Sequence, residues 1–375
     1  MGFQTPGAID LHVHLREPGT NTAENIESGT RAALMGGFVL VADMPNNPGA
    51  PVHSLSALIA KHVIAEQKAW IPTAFYAGAQ PETYQPGSLT EMAPHAIGLK
   101  LYGDPTTGND NTYEAADFQE IVKEWHAAAP SKPIMFHAGR ENLHAMLGLV
   151  AQDTNHPMHI CHVNDAHQIR LANEFKAKGA QVTTGVTPHH ILKTSHDRMT
   201  QGVFAEMMPP LVDQTEAEQL MDLLARGEID VIETDFAPHS VEAKYEAEHS
   251  GGKCFGVPGI EHVLPLMFYQ MRQGRISEQR LLDAVYAKPA AILGTRIDGA
   301  TEVWWNDDDG AYRIGESDVQ AQCGWSPYMG MLAIGRVESV TIGGRAVVSH
   351  GRPLKRHPEI VEQREHQIFW RQNNE

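Results

Sequence analysis

Ile9-Asp-Leu-His12-Val-His14-Leu-Arg16 alternates apolar Ile9, Leu11, Val13 and Leu15 with polar Asp10, His12, His14 and Arg16. On a β-strand the two sets face opposite sides, because successive side chains point to opposite faces. One side can pack against helices. The other then lines up two imidazoles and a guanidinium in one column. Burying those groups unpaired costs several kcal/mol each, roughly 2–7 for a neutral polar group. A lone histidine is more often structural than catalytic. Two at alternate positions on a strand, followed by an inward arginine, point to metal ligation instead.

Working outward, strand signals recur at Phe38–Met44, Trp70–Ala77, Ala96–Leu101, Pro133–His137, Met158–Val163, Ala180–Val186 and Ile229–Thr234. Most are short apolar or β-branched runs bounded by Gly, Pro or Asp. Helical patterns fall between many of them. Thr22–Met35 opens on a capping Thr and stops at Gly36-Gly37, and Ser54–Ala69 and Glu114–Ala129 have apolar residues at helical spacing. Asp165–Lys178 and Thr215–Arg226 each start on a capping residue and end at a glycine. Eight strands alternating with helices predict an α/β fold, a (β/α)8 barrel over residues 7–293; an open doubly wound sheet has the same rhythm. Residues 294–356 read as a small β-rich appendage, with turn signals at Asp309-Gly310 and Gly343-Gly344. Residues 357–375 read as a polar, helical tail.

Composition narrows the function. The chain has 375 residues, 29 basic and 46 acidic, for a net charge of -17. That balance argues against nucleic acid and anionic membrane as partners. The N-terminus has no basic region followed by an apolar run, and no stretch approaches the ~18 apolar residues of a membrane span. Three cysteines give no disulfide framework and suit a reducing, cytoplasmic setting.

The remaining ligand candidates end other strands: Lys100 in Gly-Leu-Lys-Leu-Tyr, His137 in Met-Phe-His, His162 in Ile-Cys-His, and Asp235 in Glu-Thr-Asp-Phe-Ala-Pro-His. Singly, Lys100 reads as a snorkelling side chain, the histidines as hydrogen-bonded core residues and Asp235 as a helix cap. Jointly those readings fail, since a barrel brings all these strand ends to one mouth. Four imidazoles, an aspartate and a lysine suit a pair of borderline-soft divalent ions such as Zn²⁺. An ammonium cannot ligate a cation. A lysine buried beside positive charge tends to lose its proton, and the free amine captures CO₂ as a carbamate able to bridge two metals. Arg16 is a bidentate reader of carboxylates. Asn46, in Met-Pro-Asn-Asn, offers an amide donor or a turn residue, and His239 a further anion contact or a cap.

His12-Val-His14-Leu-Arg16-Glu-Pro-Gly, Met44-Pro-Asn46, Gly98-Leu-Lys100-Leu-Tyr, His159-Ile-Cys-His162-Val, Thr187-Pro-His-His190 and Asp235-Phe-Ala-Pro-His239 resemble the dihydroorotase family of cyclic amidohydrolases. The resemblance runs from about Pro6 to Leu354 and includes Cys323-Gly-Trp-Ser-Pro. It implies reversible cyclisation of N-carbamoyl-L-aspartate to L-dihydroorotate at two zinc ions. His12, His14 and Asp235 would hold one ion and His137 and His162 the other, bridged by carboxylated Lys100 and a hydroxide. Asp235 would be catalytic. Arg16, Asn46 and His239 would hold the substrate carboxylate, under a mobile loop carrying Thr106 and Thr107. A homodimer and association with aspartate transcarbamoylase are also implied. A hydantoinase or allantoinase shares the metal set but needs no carboxylate reader at Arg16. A non-catalytic scaffold would be expected to have lost ligands.

The chain departs from the family pattern in three places. Met208-Pro-Pro-Leu-Val212 lacks the usual Asn and Arg. Gly185 stands where some relatives carry a Glu that completes an extra metal site with the Cys of Ile-Cys-His, which weighs against a third metal at Cys161. Phe236 follows the aspartate where His or Ser is commoner.

Overall fold

The structure is a computed structural model that describes residues 2–105, 111–137, 139–297 and 299–361. Among the described residues thirteen strands run in chain order. They are β1 (Gly2–Thr5), β2 (Ala8–Val13), β3 (Phe38–Asp43), β4 (Thr73–Gly78), β5 (Gly98–Tyr102), β6 (Ile134–His137), β7 (Met158–Ile160), β8 (Val182–Val186), β9 (Val231–Ile232), β10 (Glu302–Arg313), β11 (Leu332–Ile342), β12 (Arg345–Ser349) and β13 (Arg352–Pro353).

Strands β2 to β9 pair in strict sequence order, all parallel. A doubly wound sheet reverses its strand order at a switch point; this sheet does not. It also closes, since Val13 bridges Phe236 in parallel and His14 N–H donates to the Phe236 carbonyl at 2.8 Å. The expected barrel is therefore the observed one.

Inside the barrel lies an apolar layer that includes Leu40, Tyr76, Met135, Cys161 and Val231, plugged at its base by Leu293. Ile9 and Leu11 belong to this layer, whereas Val13 and Leu15 pack outward among helix residues such as Ile26 and Leu34. The single polar column expected from Asp10 to Arg16 is thus corrected. The register against β3 slips between Asp10 and Val13, and such an irregularity changes the phase of alternation. Leu11 fills the apolar layer and His12, next to it in sequence, enters the site above. Asp10 leaves the column and accepts hydrogen bonds from His12 N (3.0 Å), Thr234 N (3.2 Å) and Thr234 Oγ1 (2.6 Å).

Two helix starts also differ from expectation. The first helix is Ile26–Met35, capped by Asn25 rather than Thr22. Residues 22–24 are used elsewhere: the Thr22 carbonyl and the buried Glu24 carboxylate bind Gln322 Nε2 and Gln322 N, at 3.0 Å in both cases. The helix Gln214–Ala225 is capped by Asp213, not Thr215.

The second sheet, β1-β10-β11-β12-β13, is antiparallel and takes its first strand from the N-terminal segment. Asp309-Gly310 does not end a strand. It sits in a bulge of β10 between Asn306 and Ala311. Gly343-Gly344 does make the turn between β11 and β12. The sheet is anchored to the barrel through Trp305, which packs edge-on to Phe268 of the helix Val263–Arg272 and donates within its own sheet to Thr5 Oγ1 at 2.9 Å. Its indole covers Gly37 (φ 84°), where a Cβ would fall 2.4 Å from the ring. Pro358–Val361 is helical; the rest of the tail, 362–375, lies outside the described residues.

A fully buried ion pair braces the loops that carry the site. Lys61 Nζ lies 2.6 Å from Asp43 Oδ2 and donates to the Met44 carbonyl (3.0 Å) and Asn47 Oδ1 (3.1 Å), while Asp43 Oδ1 accepts from Leu15 N at 2.8 Å. Breaking such a pair strands a charge in the interior. Lys61→Met is expected to lower unfolding free energy by about 3–5 kcal/mol, measured by urea titration. A loss below about 1 kcal/mol, the worth of an exposed pair, would contradict this bracing role.

Candidate functional site

The C-terminal ends of the barrel strands gather the residues singled out in the sequence. His12 and His14 leave β2, Lys100 lies on β5, His137 ends β6, His162 follows β7 and Asp235 follows β9. All are buried. His14 Nε2 lies 2.9 Å from Asp235 Oδ1 and His12 Nε2 3.4 Å from the same oxygen. His137 Nδ1 and His162 Nε2 are 2.9 Å apart, and the His12 and His162 rings 5.1 Å. Lys100 Nζ reaches Cys161 Sγ at 3.1 Å. The six candidates therefore form one cluster at the mouth where barrel active sites sit.

Three of the site residues hold left-handed backbone: Arg16 (φ 65°), His162 (φ 37°) and Asp235 (φ 47°). Non-glycine residues avoid this region, and they persist there when surroundings fix them, often at functional sites.

Burial sets the protonation states. It pushes His12 down to about 4, helped by Lys100, and holds His14, His137 and His162 well below the ordinary imidazole value. Neutral imidazoles carry the lone pair that a metal needs. Burial raises the Asp235 carboxyl against the pull of His12 and Lys100. His12, His14 and Asp235 present ligand atoms within 4.8 Å of one another, as do His12, Cys161 and Glu233. This donor set fits a divalent ion of the zinc type.

A consequence for stability follows. An imidazole whose folded pKa lies below its unfolded value loses stability as pH falls below the unfolded value, because only the unfolded chain takes up the proton. His12 and His190, both pushed to about 4 by burial, lose it between pH 6.5 and 4, each up to about 1.4 kcal/mol per pH unit. Asp10 and Glu24, raised to about 7 by burial, act oppositely over the same range. The depressed imidazoles outnumber them, since His14, His137, His162, His189 and His239 shift the same way as His12. EDTA-treated protein should melt at progressively lower temperature from pH 6.5 towards pH 4.5. A flat or rising melting temperature would contradict this balance.

Beside the cluster, Arg16 is buried with Nε and Nη1 lacking any hydrogen-bond partner among the described residues. Its Nη2 lies 3.5 Å from His239 Nε2. That nitrogen must carry a proton, since it is 2.8 Å from the Phe255 carbonyl, which can only accept. Arg16 therefore gains no acceptor from His239, and its fork opens on a cleft lined by His14, Asn46, Met208, Asp235, Phe255 and Gly256. Asn46 contacts His14. Met208 stands where the family pattern has Asn, which makes that wall apolar. The Trp325 indole donates to the His239 carbonyl at 2.8 Å, so the appendage loop shapes the rim. Thr106 and Thr107 lie outside the described residues.

One buried carboxylate at the site escaped the sequence reading. Glu233 is fully buried among His12, His159 and Cys161. Gly185 leaves no carboxylate on β8 there, but Glu233 delivers one from the neighbouring strand end. Burial alone would raise its carboxyl, yet His159 and His12 outweigh that and hold it well below the usual range. The signal available was its spacing: Glu233 and Asp235 alternate as His12 and His14 do.

The family described as "Amidohydrolase family" matches residues 3–295. The chain belongs to the amidohydrolase family. Its sequence is 33% identical to "Multifunctional protein CAD" of Squalus acanthias, over 94% of this chain and 15% of that protein. It is 31% identical to the dihydroorotase of Staphylococcus epidermidis, over 91% of this chain and 87% of that protein. The chain thus spans about 15% of the length of the multifunctional relatives it matches. Among solved structures, the L-hydantoinase of Arthrobacter aurescens superposes with a TM-score of 0.83 at 22% identity, covering 95% of this chain and 87% of that one. The inactive dihydroorotase-like domain of a Chaetomium thermophilum multifunctional protein gives 0.75 at 21% identity, covering 95% and 98%. At such identities the likeness shows the fold.

Proposed function

We propose that this chain is a dihydroorotase, interconverting N-carbamoyl-L-aspartate and L-dihydroorotate, the ring-closing step of pyrimidine synthesis. The observation that carries the reading is Arg16, a buried guanidinium whose unpartnered donors face a cleft shared with His14 and Asp235. A buried cation of this kind calls for an anion, and a carboxylate matches its fork. Dihydroorotate carries a carboxylate beside its cyclic amide; hydantoin and allantoin carry none. The dihydroorotase names of relatives such as the Staphylococcus epidermidis protein support the same substrate.

In this reading His12, His14, Asp235, His137 and His162, with a carboxylated Lys100, would hold the zinc ions. Bound there, the ions would lower the pKa of water and polarise the amide carbonyl. Arg16 and Asn46 fix the substrate carboxylate, and His239, whose Nε2–H is taken by the Phe255 carbonyl, stands against the Arg16 guanidinium; Thr106 and Thr107, the remaining substrate-contact candidates, lie outside the described residues. Asp235 accepts the proton of the attacking water as the new C–O bond forms. It returns that proton to the amide nitrogen as the C–N bond breaks. In the cyclising direction the same carboxyl works in reverse. Retention of all six ligand candidates argues against a purely structural scaffold. A cytoplasmic homodimer associating with aspartate transcarbamoylase belongs to this proposal. The multifunctional relatives support association with further enzymes, and the three free cysteines suit a reducing setting.

The test is substrate choice. Purified protein supplied with zinc and bicarbonate should turn over dihydroorotate and leave hydantoin and allantoin untouched. Turnover of hydantoin in preference would move the substrate to an uncharged cyclic amide.

A further inference from the structure

Glu233 lies beside two members of the cluster, His12 and His162, and beside His159, without being needed as a ligand in the proposed site. Its Oε1 accepts from the backbone N–H of His162 at 2.5 Å. Its Oε2 lies 3.3 Å from His159 Nε2 and 3.6 Å from His12 Nδ1. The last distance is longer than a hydrogen bond, and a shift of a few tenths of an ångström closes it. Across the barrel wall stands Gly185, where a Cβ would fall 2.6 Å from the Glu233 carboxylate and 2.8 Å from His159 Nε2. The space that glycine leaves is the space the carboxylate fills.

We infer that Glu233 is a positioning residue for the metal centre: its carboxylate accepts Nδ1–H of His12 and N–H of His162, and so aims both imidazoles. With a proton fixed on Nδ1, His12 keeps its lone pair on Nε2, the nitrogen that faces Asp235 Oδ1 at 3.4 Å. The bond to His162 N holds the residue in its left-handed turn (φ 37°), which directs its ring towards His137. His159, hydrogen-bonded through Nδ1 to Thr183 Oγ1 at 2.9 Å, braces Glu233 from behind. Carboxylates that orient ligating histidines in this way contribute about 10–100-fold in metal affinity. The inference rests on the proposal that His12 and His162 bind metal.

Glu233→Gln keeps the volume and the contact to His162 N but loses an acceptor for His12. Zinc affinity, measured by competition with a chromophoric chelator, should fall about 10–100-fold, while the number of zinc ions bound at saturation stays that of the unsubstituted protein. The cobalt-substituted variant should show shifted ligand-field absorption bands. Gly185→Ala, which leaves Glu233 in place but crowds it, should give the same loss of affinity, and it serves if the first variant fails to fold. Unchanged affinity in a folded variant would overturn the inference alone. Loss of one zinc per chain at saturation would make Glu233 a ligand, and would overturn it too. Failure of the unsubstituted protein to bind zinc would instead remove the proposed site beneath it.

Discussion

Asp235→Asn should cut kcat for dihydroorotate hydrolysis by about a thousandfold, within the 10²–10⁴ that proton transfer by a positioned side chain contributes. The amide keeps the shape of the carboxylate and its contact to His14, but cannot take the proton of water and hand it to the departing nitrogen. Its position is set by the chain as much as by its chemistry. Asp235 stands in left-handed backbone directly before Phe236, whose carbonyl closes the barrel onto His14. Folding and substrate affinity should therefore survive the change better than turnover. A split in which kcat falls and KM moves little is the mark of a group acting in the transition state. Full activity in a metal-replete Asn variant would remove Asp235 from proton transfer.

Arg16→Met should leave the opposite signature. A bidentate, charge-assisted contact is worth roughly 3–6 kcal/mol if each bond contributes about 1.5–3, so kcat/KM should fall about 10²–10⁴-fold, chiefly through KM. Arg16→Lys should recover little, because an ammonium cannot present the planar fork. Because Arg16 is buried with unpartnered donors, Met relieves a desolvated charge, and the variant should melt no lower than the unsubstituted protein. A variant that binds dihydroorotate as tightly as before would detach the carboxylate from this arginine.

Much of this site can be read from the chain before any coordinates, for a physical reason. Side chains on strands obey a period of two, and a barrel sends every parallel strand end to one rim, so the candidates His12, His14, Lys100, His137, His162 and Asp235 can be picked out by position. What sequence hides depends on packing between strands. The phase change at Leu11 and His12 arises from a slipped register against β3. Glu233 comes within 3.6 Å of His12 because Gly185, distant in sequence, leaves room for it. The Asn25 cap replaces Thr22 because residues 22–24 are drawn to the loop at Gln322. The bulge at Asp309-Gly310 mimics a hairpin turn because both use the same residues.

Metal content and turnover measured on one sample test the central claim most directly. The account predicts about two zinc ions per chain, the number a bridged pair requires, together with hydrolysis of L-dihydroorotate that is lost on chelation and regained on adding zinc and bicarbonate. Protein that is folded, holds no zinc and turns over no dihydroorotate under those conditions would contradict it.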